Sequence, residues 1–451
     1  MANHSSDEIN AAGNISPIET KGNWFWKDGK RFLIKGVSYE PRNSSLPGPE
    51  FRINPLSDDW LEHLRKDIPF FHRLGINAIS IECADATQSP RQAMQLLQSE
   101  GISVLLKLYT DLVRGDSGQL KAAKINLARM YSPDEVRKNL AIVRQTARFS
   151  NVLGYTISQS EIWTDATTKL AALHRAAVRD TKLFLKKLGL RPIPVGSSMS
   201  SDQMYRLDAI RYMTAGSPEE RVDFISFGVY DWVGPSSFQT SGYKHLIKAF
   251  EAFPVPIFWG EYGASTGRKR VLDEVNCLYS PAMTGVVSGG FLHTYGYSDG
   301  KDDVGEDGVV LDVDVDNDDE EEGEEEEEEN VEEDRDDDDD DDDADAGESD
   351  SDPESNDVSD DGDDNMDAPC YDLVQITDGG ERVPKRDFEQ FQQKLAVINA
   401  MPQENIVGSH EVKDCDSWRG SFKAKRKYWL AMAEDIPRFP IDWRLILEQE
   451  E

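Results

Sequence analysis

The stretch from Asp223 to Tyr295 contains DFISFGVY (223–230), VPIFWGEYG (255–263) and VVSGGFLHTY (286–295), three short runs rich in Val, Ile, Phe and Tyr. Five similar runs precede them: RFLIKGVSY (31–39), AISIEC (78–83), SVLLKL (103–108), VLGYTIS (152–158) and IPVGSS (193–198). The spacers include WLEHLRKDIPFFHRL (60–74), RQAMQLLQSE (91–100), SPDEVRKNLAIVRQTARF (132–149) and LAALHRAAVRDTKLFLKKL (170–188), each with apolar residues at helical spacing. Ser132 followed by Glu135 predicts a capping box at the start of the third of these helices. Strands alternating with helices give repeated β-α units around a parallel sheet. Eight such units within about 270 residues predict an α/β fold, a (β/α)8 TIM barrel.

The charge is distributed unevenly around that barrel. Residues 302–367 hold 40 Asp and Glu against one basic residue, Arg335, a net charge of −39 in a chain whose total is −37. The remaining 385 residues carry 48 basic and 46 acidic side chains, a net charge of +2. The tract lacks aromatics and cannot bury enough apolar surface to offset the entropy of ordering, so it is expected to be a long disordered insertion after the eighth strand. Within it, DVDVDND (312–318) lacks the glycine that a calcium-binding EF-hand loop needs, and no metal site is expected. As an acidic block it is either a solvated linker or a surface for a basic partner.

The near-neutral remainder excludes a broadly basic nucleic-acid-binding surface, and no run of about 18 apolar residues offers a membrane span. Cys83, Cys277, Cys370 and Cys415 are widely spaced and form no metal-ligand cluster; they read as thiols in a reducing compartment. Sequons at Asn3, Asn14 and Asn43 point the other way. Neither terminus shows the pattern of a secretory or anchor signal, so the sequence as it stands reads as cytoplasmic. The expected organisation is a disordered tail (1–21), the barrel (22–301), the acidic insert (302–367), a barrel-closing segment (368–410) and a basic, aromatic extension (411–451) that folds onto either the barrel or the acidic tract.

Barrel enzymes carry their chemistry at the C-terminal ends of the strands. Two acids satisfy that condition: Glu161, after the fourth run in SQSEIW (158–163), and Glu261, ending the seventh in FWGEYG (258–263). A retaining glycosidase needs two carboxyls, one as acid/base and one as nucleophile, about 5 to 5.5 Å apart. That chemistry calls for no metal and no cofactor. The competing reading makes Glu161 a solvated loop acid and Glu261 a strand-end salt bridge. Tyr39, Tyr230, Trp232, Tyr262 and Tyr295 stand at or just past strand ends, where they could stack on sugars or could equally pack the core.

The order KGVSYE (35–40), NPLSDDW (54–60), KDIPFF (66–71), GINAISI (75–81), NVLGY (151–155), IPVGSS (193–198), DFISFGVYDW (223–232), FQTSGY (238–243), PIFWGEYG (256–263) and SGGFLHTYGY (288–297) resembles the fungal β-1,3-glucanosyltransferases of glycoside hydrolase family 72. YDLVQITDGG (371–380) and DFEQF (387–391) resemble that family's closing segment. The resemblance implies a transglycosylase of cell-wall remodelling that cleaves β-1,3-glucan, holds one part as a glycosyl ester and passes it to another glucan chain. It implies Glu261 as nucleophile, Glu161 as acid/base, Tyr230 as a hydrogen-bond partner of the nucleophile, and Tyr39 with Glu40 on the donor side. It also implies a lipid-anchored place at the cell surface or wall, the alternative to a cytoplasmic one.

The chain departs from the family pattern at several of these positions. Ser160 stands where an Asn is usual, Glu40 where a Gln is usual, Ser80 and Glu82 where strand two has an Arg and a Tyr, and Lys107 where an Asp follows strand three. Val233 and Ala264 replace disulfide cysteines. With the strand-two Arg gone and Glu82 added, the expectation is a nucleophile with a raised pKa. A catalytically weakened or inactive barrel serving as a glucan-binding or protein-interaction module is the alternative function.

Overall fold

The computed structural model of the chain describes residues 15–41, 53–108, 125–158, 162, 164–199, 203–265, 270–296, 371–377, 380–407, 412–413 and 428–448. Eight parallel strands close into a barrel: β4 (Ile34–Ser38), β5 (Ala78–Ile81), β6 (Ser103–Leu108), β7 (Val152–Ser158), β8 (Val195–Met199), β9 (Ile225–Val229), β10 (Ile257–Tyr262) and β11 (Val287–Leu292), with β11 pairing back onto β4. They fall within or one residue beyond the eight runs of the sequence, and helices fill the spacers. In the Leu61–Leu74 helix, Leu61, Leu64, Ile68, Phe71 and Leu74 form the buried stripe, and Gly75 ends it at φ 75°. Pro133–Thr146 starts as expected, with the Ser132 hydroxyl accepting from the Glu135 amide at 3.3 Å. The Glu135 carboxylate pairs with Lys138 at 2.9 Å, so only one half of the capping box is seen there.

A small antiparallel sheet of β1 (Glu19–Lys21), β2 (Trp24–Lys27) and β3 (Lys30–Phe32) precedes the barrel. Its first strand corrects the last part of the disordered tail expected over 1–21: Ile18 is buried and Glu19–Lys21 is a paired strand, while residues 1–14 lie outside the described residues. The sheet plugs the N-terminal mouth of the barrel, where Phe25 packs with its ring centroid 5.7 Å from Phe224 and 5.9 Å from Phe258. These rings join Ile34, Ala78, Leu105, Leu153 and Phe291 in one interior cluster, a base layer to which most of the barrel strands contribute. The layer above must be small. A Cβ on Gly36 would come within 2.4 Å of the Phe291 ring and one on Gly196 within 2.3 Å of Phe224.

The chain after the acidic tract returns to this same unit. β12 (Val374–Ile376) and β13 (Arg382–Pro384) form a hairpin, and Arg386–Ala400 is the helix expected over 387–401. Arg382 is buried and bonds Asp67 of the Leu61–Leu74 helix at 2.9 Å; the Asp67 carboxylate also accepts from Tyr39 at 2.7 Å and Tyr295 at 3.0 Å. Buried Arg270 donates to the His293 carbonyl at 2.6 Å, to Tyr371 O at 2.8 Å and to Asp387 at 2.6 Å. The described part of the C-terminal extension lies on the barrel helices: Trp429 is buried against Tyr212, and Tyr212 donates to Met432 O at 2.9 Å. The insert itself, residues 302–367, lies outside the described residues, as do the asparagines of the three sequons. Replacing Arg382 by Leu strands the Asp67 carboxylate in the core. The expected loss is about 3 to 5 kcal/mol in equilibrium denaturation, and a change below about 0.5 kcal/mol would mean the ion pair does not hold the closing segment.

Candidate active site

Counting by twos up each strand from the base layer gives the side chains at the C-terminal mouth. On β6, Leu105 leads to Lys107; beyond β5, Ala78 and Ser80 lead to Glu82; beyond β4, Ser38 leads to Glu40; beyond β11, Phe291 leads to His293. β10 breaks this rhythm. Against β9 its register shifts between Trp259 and Glu261, a bulge at Gly260. Phe258 faces the interior and Trp259 packs outward on Tyr243 and Phe250, yet Glu261 reaches Lys107 across the barrel. The extra residue turns Glu261 inward and sends Tyr262 outward into the core, where it is fully buried.

Glu261 is held at both oxygens. Lys107 Nζ donates to Oε1 at 2.8 Å and the Tyr230 hydroxyl donates to Oε2 at 3.1 Å. Lys107 also lies 3.5 Å from Glu40 Oε1. Its side chain is 7% exposed, against 32% for Glu261. Burial pushes the Glu261 carboxyl up, but the Lys107 charge and hydrogen bond, with His293 adding to them, outweigh burial and the opposing Glu82, so its pKa falls below the usual Glu value. This corrects the raised pKa expected from the loss of the strand-two Arg: the positive partner comes from strand β6 instead. Burial lowers the Lys107 ammonium, and Glu261, Glu40 and Glu82 more than restore it, leaving it above the ordinary lysine value. Tyr230 is raised well above its ordinary value by burial and then by the Glu261 charge, so it stays protonated and donates at neutral pH.

The other aromatic candidates are not at the rim. Tyr39 and Tyr295 point behind the barrel wall, edge to face with Phe71, with their hydroxyls on Asp67. Trp232 is buried edge-on against Tyr243. These three and Tyr262 pack in the core in this structure, the second of the two placements the sequence left open for them. Glu40 and Tyr230 do belong to the cluster around Glu261. Glu161 and Ser160 lie outside the described residues. Sequence reasoning passed over His293 and treated Lys107 only as a departure; the period-two count along their strands was the signal for both.

Among the described residues no group of three His, Cys, Asp or Glu is arranged to hold a metal ion. Cys277 is a free thiol, and burial pushes it up to about 11. No helix among the described residues is long and apolar enough to cross a membrane.

The sequence model of the glucanosyltransferases, glycoside hydrolase family 72, matches residues 7–333. The chain belongs to this family. Among its relatives, the 1,3-beta-glucanosyltransferase gel1 of Aspergillus fumigatus is 34% identical over 288 residues, which cover 64% of this chain and 60% of that protein. The 1,3-beta-glucanosyltransferase gas1 of Schizosaccharomyces pombe is 32% identical over 294 residues, covering 64% of this chain and 52% of that one. The chain thus matches little more than half the length of these family members. A Gas2p variant of Saccharomyces cerevisiae, solved in complex with laminaritetraose and laminaripentaose, shares the fold with a TM-score of 0.65 at 23% identity, covering 95% of this chain and 75% of that one.

If Tyr39 and Tyr295 are core donors to Asp67, Tyr39→Phe and Tyr295→Phe each cost about 1 to 3 kcal/mol of stability and leave oligosaccharide binding unchanged in calorimetry. Weaker binding at unchanged stability would return them to the site.

Proposed function

We propose that the protein is a retaining β-1,3-glucanosyltransferase. The observation that carries this reading is a carboxyl group, Glu261, aimed into the C-terminal mouth of the barrel and held at both oxygens, in a chain of this family. In the proposed reaction Glu261 attacks the anomeric carbon of an internal β-1,3-linked glucose and forms a glycosyl ester. Glu161 gives its proton to the departing glycosidic oxygen. The 3-hydroxyl at the non-reducing end of a second chain then attacks the ester, gives its proton back to Glu161 and releases Glu261. Donor and acceptor are both β-1,3-glucan, as the laminari-oligosaccharides bound to the Gas2p variant suggest.

Glu40, Ser160 and Tyr230 are the proposed sugar-side contacts. Tyr230 keeps its proton and so supplies a neutral donor beside the nucleophile in either state of the cycle. Work on a wall polymer supports a cell-surface or cell-wall location over a cytoplasmic one. The acidic tract, if it has a partner of its own, is proposed to meet a basic one; a neutral glucan offers it no charge to attract.

The test is incubation of the full chain with reduced laminari-oligosaccharides beside its Glu161→Gln and Glu261→Gln variants. Products longer than the donor are expected from the wild type and are to fall by about 100-fold or more in each variant. No product from the wild type across the pH range, with binding retained, would instead make the barrel a glucan-binding module.

A further inference from the structure

The nucleophile reading of Glu261 leaves open what keeps a carboxylate charged and fixed in a partly buried mouth that also holds Glu40 and Glu82. Resting on that reading, we infer that Lys107 is the positioning residue of the reaction: its ammonium fixes the Glu261 carboxylate from the opposite wall of the barrel and keeps it ionised for attack.

Four observations support this. Lys107 reaches the mouth because β6 alternates regularly from Leu105 in the base layer, so a rigid strand rather than a loop sets its position. Its ammonium is 2.8 Å from Glu261 Oε1 and 3.5 Å from Glu40, and at 7% exposure it is nearly shut off from water, where an ion pair is screened far less than on a surface. Tyr230, beyond β9, holds the other oxygen at 3.1 Å, so donors from two elements fix the plane of the carboxyl. Finally, the charges facing Glu261 are otherwise unhelpful: Glu82 beyond β5 opposes its ionisation, Glu40 beyond β4 faces the same ammonium, and His293 beyond β11 adds a smaller attraction than Lys107.

Removing the ammonium therefore leaves burial and Glu82 to push the Glu261 pKa up. The carboxylate then gains its proton at higher pH, and the acid limb of the activity profile moves the same way.

The experiment uses the full chain with Lys107→Met, Lys107→Gln and Lys107→Arg. Two quantities are followed: the pH dependence of kcat/KM on laminari-oligosaccharides, and the pH midpoint of carbodiimide modification at Glu261, read by peptide mapping. For the Met variant we expect both midpoints to rise by about one pH unit or more, and kcat/KM near the acid limb to fall about tenfold. Lys107→Arg is to recover most of both. Lys107→Gln replaces the Met variant if that one does not fold. An unchanged modification midpoint in a folded neutral variant overturns the inference, and so does an Arg variant as impaired as the Met one. A wild type with no activity on glucan counts against the nucleophile reading alone, because the carbodiimide titration needs no turnover and still tests what Lys107 does to Glu261.

Discussion

A single buried carboxylate, Asp67, sits where the barrel closes on itself. A closed barrel has a seam where its last strand meets its first, here β11 against β4. Just past that seam, Tyr39 from the first strand and Tyr295 from the last both donate to Asp67, and Arg382 supplies its countercharge from beyond the acidic tract. A buried ion pair adds little net stability over a well-packed apolar substitute, but losing one partner is costly. The arrangement therefore acts mainly as a specification: it joins first strand, last strand and a segment separated from them by the tract, and it stays satisfied only when all three are in place. Arg270 makes a second suture on the same side, tying the end of β11 to Tyr371 and Asp387.

With the seam fixed, the interior alternation of the strands decides what the mouth contains. The aromatic plug around Phe25, Phe224, Phe258 and Phe291 fills the base, small residues such as Gly36 and Gly196 make room above it, and the charged layer comes last. The bulge at Gly260 is the one departure that matters for chemistry. Without it, strict alternation from Phe258 would send Glu261 into the helical layer and Tyr262 into the mouth. The charge balance of the mouth then rests on Lys107, which answers Glu261, Glu40 and Glu82 together.

The barrel was legible in the sequence because each strand was a compact apolar run and each helix an apolar stripe of the right period. VLGYTIS matched β7 and SVLLKL matched β6 residue for residue. The site was legible in part. Glu261 and Tyr230 were found from their places at strand ends, and Glu40 came with the family resemblance. Strand-end position alone cannot tell which wall a side chain faces, so for Tyr39 and Tyr262, neighbours of inward residues, the sequence left sugar stacking and core packing both open, and the structure buries them. Lys107 looked like a loss because a residue-by-residue likeness compares positions within one strand, whereas the partner of Glu261 has moved to the neighbouring strand. The hairpin Glu19–Lys21 with Trp24–Lys27 escaped notice because β1 contributes only polar side chains and leaves burial to Ile18 before it.

The central claim is that Glu261 is the carboxylate that bonds to sugar. A 2-deoxy-2-fluoro laminaribiosyl fluoride slows breakdown of a glycosyl ester more than its formation, so the ester can accumulate and be located by mass spectrometry of peptides. The expected result is one sugar per chain, on the peptide that carries Glu261, and none in Glu261→Gln. A label on Glu40, Glu82 or Glu161 instead, or no label under conditions where the wild type turns over glucan, would contradict it.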